Sequence, residues 1–254
     1  MNFSKRGKVT IWVIVAVAIV AVIGFIFFIS GRPTLISGAQ INPNSYIDTC
    51  MKDAAAEALE KMLPQGGFVD ANGNSKMHDD IDVSYLCYTS SYYFPCINQH
   101  PAYLNELKNE IVNYVQPRTE QCFNDMKTAM EKQGYSVTFD SPVSLDAEIM
   151  PEKVRVSAAR KMSAAKQGTT QAYSDFEAEI PSSLFELANV AVKIVNDEAQ
   201  YCTFGYVGYM AAYPQFDIQL DRMSDSTKIY TIKDLDTNNE MNIAIRGCAS
   251  APGF

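Results

Sequence analysis

Residues 9–29 read VTIWVIVAVAIVAVIGFIFFI, 21 positions without a charge. At a rise of about 1.5 Å per residue, a helix of this length measures roughly 30 Å, the thickness of a bilayer's hydrocarbon core. The run therefore reads as a transmembrane helix that tethers everything after it. Lys5, Arg6 and Lys8 precede it, and only Arg32 follows closely. By the positive-inside rule the N-terminus is cytoplasmic and the body lies outside the cell. The expectation is a cell-membrane, single-pass protein. It has a basic head at 1–8, a membrane helix at 9–29 in contact with lipid, a Gly- and Pro-bearing spacer at 30–43, and an extracytoplasmic body at 44–254 that admits a subdivision near 134.

Working outward, the charge balance narrows the function classes. The chain of 254 residues carries 21 Lys and Arg against 29 Asp and Glu, a net charge of −8. Three of those cations precede the apolar run, so the remainder sets 18 cations against 29 carboxylates, a balance of −11. Such a surface repels nucleic acid and anionic lipid head groups. All six cysteines, Cys50, Cys87, Cys96, Cys122, Cys202 and Cys248, lie beyond the run. Outside the cell disulfides persist, so three bridges are expected. Of 15 connectivities, the expected one is Cys87–Cys96 as a local loop, Cys50–Cys122 between two similar helices, and Cys202–Cys248 tying down the last strand.

Lys5-Arg6-Gly7-Lys8 followed by a long apolar stretch resembles archaeal class III, prepilin-type, signal peptides. The resemblance covers about 30 residues. It implies cleavage after Gly7, a mature chain starting at Lys8, and self-assembly of the apolar helix in a filament core. Trp12 stands where pilins often carry Glu at the fifth mature position. An uncleaved signal anchor is the other reading, as in small archaeal surface proteins, many of which pair such an anchor with a cysteine-containing α+β body. A small-x-small site at Ser37-Gly38-Ala39 is a third, secretory, option.

The body reads as α+β: about three helical regions packed on antiparallel strands behind the N-terminal transmembrane helix. Tyr46, Cys50, Ala54, Ala58 and Met62 recur every four residues, with Asn44 or Ser45 as cap and Pro64 and Gly66-Gly67 as the stop. Phe68 to Tyr88 reads as a hairpin turning at Asn72-Gly73. A second helical stripe starts at Pro101, pauses at Pro117, and resumes through Cys122 to Gln133-Gly134. Residues 46–66 and 114–134 share a helix with a Cys followed by Gln-Gly. Alternating residues in 135–141, 143–149 and 153–159 predict a meander, followed by a polar loop at 161–170. A third helical region starts at Ser174 and is reopened by Pro181, with Ser183 and Glu186 as a capping box. Strands are expected near 216–220, 229–232 and 242–247, with a turn at 234–240.

No catalytic signature stands out. The two histidines, His78 and His100, sit in no motif, and neither a C-x-x-C pair nor a G-x-S-x-G elbow occurs. The acidic turns at 70–74 and 234–240 read as turns rather than calcium loops. No residue is nominated as catalytic, cofactor-binding or metal-ligating. The aromatic stretches supply the candidate interaction surface: Tyr85, Tyr88, Tyr92, Tyr93 and Phe94 around the Cys87–Cys96 loop, and Tyr206 and Tyr209 farther on. Tyr offers large contact area at low entropic cost. The function expected is a membrane-anchored extracellular binding or envelope-structural module with a protein or surface-glycan partner. A pilin-like subunit and, more weakly, an envelope hydrolase are the alternatives.

Overall fold

The computed structural model describes residues 41–71 and 73–251. The processing site at Gly7 and Lys8, the head at 1–8, the apolar run at 9–29, most of the spacer, and Asn72 lie outside the described residues.

Helix α1 spans Pro43–Met62. Its cap is Asn42, whose side chain accepts from the Asn44 and Ser45 amides, with Pro43 in the first turn where its missing N–H costs nothing. Ile47, Met51, Ala54, Ala55, Ala58 and Met62 are buried. The small residues let a second helix approach closely. A 3-10 turn at Leu63–Gln65 ends on Gly66 at φ +76°.

That second helix, α2, runs unbroken over Tyr103–Lys132 with Pro117 inside it. Pro117 is exposed, while Leu107, Ile111, Val115, Phe123, Met126 and Met130 continue one buried stripe past it. Packing along 30 residues outweighs one lost backbone bond, a local cost of about 3 kcal/mol. The Cys50–Cys122 disulfide joins α1 to α2.

Strands β1 (Ser75–His78), β2 (Ile81–Tyr88) and β3 (Ile97–Asn98) precede α2. After α2 come β4 (Ser136–Phe139), β5 (Ser144–Met150), β6 (Lys153–Lys166) and β7 (Thr169–Pro181). Helices α3 (Leu184–Tyr201) and α4 (Tyr206–Ala212) lead to β8 (Phe216–Arg222), β9 (Lys228–Asp234) and β10 (Glu240–Arg246). One sheet has the order β1-β2-β10-β9-β8, with β3 also on β2. In the other, β6 pairs with β7 along its length and with β5 and then β4 on its other edge. Helix α3 packs on the first sheet, α1 and α2 on the second, and a single buried cluster runs through both sheets and these three helices.

Several expectations are corrected. The fold class named a membrane helix and three helical regions; the described residues are α+β with four helices and two sheets, and no helix among them is long and apolar enough to cross a membrane. The strands are not all antiparallel, because β10 returns from the C-terminus to pair in parallel with β2. The β1–β2 hairpin turns at Asp79-Asp80, both at positive φ (49° and 64°) as a type I′ turn requires, not at Asn72-Gly73. Residues 161–170 continue β6 and β7 around Gln167-Gly168. Ser174 to Pro181 is strand, as the alternate burial of Phe176, Ala178 and Ile180 demands. Ser183 makes no capping bond; Leu184 N donates to Ser182 Oγ instead, and Glu186 accepts from the Glu152 amide.

Candidate functional site

The cysteines join as Cys50–Cys122, Cys87–Cys96 and Cys202–Cys248, with Cα–Cα distances of 6.4, 5.4 and 5.8 Å. These are the same three pairs named from the sequence. Two of them meet at the end of the first sheet where the parallel strands β2 and β10 finish. Cys248 N donates to Phe94 O, Tyr93 N donates to Ala249 O, and Tyr92 forms an isolated bridge to Ala249. The chain at 92–94 therefore lies along 248–251, which Cys202–Cys248 ties to the end of α3. Arg246 clasps the loop from beneath: its guanidinium donates to Thr89 O and lies 5.9 and 5.6 Å from the Tyr88 and Tyr92 ring centres. Gly247 allows the crossing, since a Cβ there would stand 2.7 Å from Cys96 N.

The predicted aromatic residues divide. Tyr92, Tyr93 and Phe94 are exposed, Tyr93 and Phe94 by 62% and 64%. Tyr93 also holds a left-handed backbone, φ 63°. Tyr85 is buried on the far face of the sheet with its hydroxyl bonded to Thr227, and Tyr88 packs edge-on against it. Burial pushes the Tyr85 hydroxyl above its usual range. Tyr206 and Tyr209 are half-buried against the core, Tyr209 among Phe204, Tyr213 and Phe216. Two apolar residues not singled out in the sequence are exposed as well, Ile97 at 70% and Tyr201 at 62%. Ile97 follows Cys96 and Tyr201 precedes Cys202, so both sit next to a bridge. Their position beside cysteines was the available signal.

The anchor of that end of the sheet is a buried network. Lys228 Nζ donates to Glu198 Oε2 at 2.6 Å and to Cys202 O at 2.7 Å, and the Tyr230 hydroxyl donates to Glu198 Oε1. Glu198 is wholly buried and Tyr230 nearly so. Burial, with the neighbouring Glu198 carboxylate, pushes the Tyr230 hydroxyl well above its usual range. The network fixes the last turn of α3 to β9 just where the Cys202 disulfide begins.

A second feature lies between the first turns of α2, strand β2 and the loop segments at 68–74 and 99–100: a cavity of about 440 Å³. Its lining includes the buried residues Phe68, Ser84 and Tyr85. Its wall carries His100, Glu106 and Glu110, and its rim the exposed amides Asn74, Gln99 and Asn109. His100 Nδ1 is 2.5 Å from Glu106 Oε2, and its ring lies 4.6 Å from that of Phe68. Among the described residues no three His, Cys, Asp or Glu side chains are grouped to hold a metal ion. Sequence reading passed over this cavity, because His100 sits in no motif and the Glu106/Glu110 spacing of one helical turn is common on solvated faces. No protein-family model, curated protein or solved structure matches this chain.

Proposed function

We propose that the body is an extracytoplasmic binding module that captures a protein partner through the apolar surface of Tyr93, Phe94, Ile97 and Tyr201. The observation that carries this reading is their exposure, 62%, 64%, 70% and 62%, on backbone tied down by two disulfides. Large apolar side chains grouped in water mark interaction sites. Holding them rigid before binding lowers the ordering cost of association. The left-handed Tyr93 supports the same reading, because strain of this kind clusters where a side chain must be aimed. Disulfides at this density suit an oxidising compartment.

The test is capture from the native cell envelope with the purified chain, followed by reconstitution with the captured protein. Phe94→Ala and Ile97→Ala are expected to weaken that reconstituted complex about tenfold each, the usual cost of losing an apolar anchor. Unchanged affinity in both variants, or capture of glycan alone, overturns it. The basic-Gly start at Lys5-Arg6-Gly7 keeps a second reading, a filament subunit, in play. N-terminal sequencing decides that one: a mature start at Lys8 supports it and a start at Met1 or Asn2 removes it.

A further inference from the structure

We propose that the cavity between α2, strand β2 and the segment at 99–100 is a binding site for a small organic cation bearing a primary ammonium group. The site is separate from the apolar surface above. Glu106 and Glu110 both line it from adjacent turns of α2, and neither Lys nor Arg is among the lining residues. Each carboxylate has one oxygen engaged, Glu106 Oε2 with His100 Nδ1 and Glu110 Oε2 with the Val69 amide at 3.2 Å. Neither Oε1 accepts a hydrogen bond from another described residue.

Ser84 supplies the independent observation. It is 4% exposed, it lines the same cavity, and its Oγ has no hydrogen-bond partner. A buried hydroxyl left unpaired is costly and rare in a finished core. It is expected where a bond is completed only when a ligand arrives. An ammonium group has three donors and no acceptor. It therefore matches two carboxylate oxygens and a hydroxyl lone pair, which an anion could not. The volume, about 440 Å³, suits a small molecule.

The test is an amide NMR titration of the full chain with butylammonium chloride. Butan-1-ol and sodium butyrate serve as the neutral and anionic versions of the same skeleton. Saturable shifts at Ser84, His100 and Glu110 are expected with butylammonium alone. Glu110→Gln keeps an acceptor for the Val69 amide and should weaken binding about tenfold, the loss of one charge-assisted hydrogen bond. Ser84→Ala should weaken it several-fold without lowering the thermal midpoint of the free protein; a purely structural Ser84 would lower the midpoint and leave affinity unchanged. Absence of saturable shifts, an equal response to butan-1-ol, or full affinity in Glu110→Gln overturns the assignment.

Discussion

At Gly67 the backbone has φ +90°, and a Cβ would stand 2.2 Å from Leu107 Cδ2 and 2.7 Å from the Tyr103 hydroxyl. Tyr103 is itself buried and donates to Gly66 O at 2.9 Å, so it cannot swing aside without leaving a carbonyl unpaired. Gly67→Ala therefore combines a left-handed side chain with overpacking, and a loss of at least about 2 kcal/mol is expected in urea unfolding. Glu198 poses the opposite problem, a charge that is tolerated only because it is paired. Lys228→Met leaves the wholly buried carboxylate without its cation and should cost about 3–5 kcal/mol by the same measurement. Lys228→Met combined with Glu198→Leu should recover most of that loss; failure to recover would place the loss in the Cys202 carbonyl and the Tyr230 hydroxyl, which the double variant leaves unpaired, rather than in the ion pair. The sequence pattern marks α3 as a buried stripe through Leu184, Leu187, Ala191 and Val195 but conceals Glu198 within it. A Glu at such a position reads as surface until a lysine 30 residues away is known to reach it.

Between elements, the α1–α2 contact is held on its outer side by Glu57, which accepts from Arg118 and from the Tyr114 hydroxyl. The Arg118 guanidinium above all, then Tyr114, holds the Glu57 carboxyl at about 2, below its ordinary 4.5. A folded-state value below the unfolded one adds stability that is fully present above about pH 4.5 and fades as pH falls through about 2. Glu57→Gln should accordingly lower the thermal midpoint at pH 7 and converge with the parent near pH 2; parallel curves would show that the pair contributes nothing. The disulfides add a graded set. Their closures span 72, 46 and 9 residues. Loop entropy alone then predicts losses of about 4.4, 4.0 and 2.6 kcal/mol on removing Cys50–Cys122, Cys202–Cys248 and Cys87–Cys96 as paired alanines. A reversed order in denaturant midpoints would place the effect in folded-state contacts instead. What was legible at this scale was periodic: the four-residue stripe of α1 and the alternation of β4 to β6. What was not legible turned on one residue overruled by its surroundings. Pro117 sits on the exposed side of α2, and Asp79-Asp80 takes the turn that Asn72-Gly73 advertised because its pairing aligns Met77 with Asp82 and His78 with Ile81.

For the whole molecule, the parallel pairing of β10 with β2 is the feature least accessible to sequence reading, since it joins positions 244–246 to 85–88 with no local signal at either end. It also explains why the candidate surface exists. The C-terminal strand must lie beside β2 for residues 248–251 to support the 92–94 loop, so the surface is assembled from segments far apart in the sequence. A single buried cluster includes Met51 and Phe123 from one side of position 134 and Val156, Leu187 and Ile243 from the other. The described residues from Ile41 onward form one compact unit. Neither half can then bury its apolar surface alone. Residues 41–133 would keep α1 and α2 but lose the sheet that covers them, and residues 135–251 would lose the helices packed on β5 and β7. Calorimetry of the oxidised protein should therefore give one transition whose van't Hoff and calorimetric enthalpies agree, and each half expressed separately should lack dispersed amide resonances. Two resolved transitions, or a folded 135–251 fragment, would show that the common core is divisible after all.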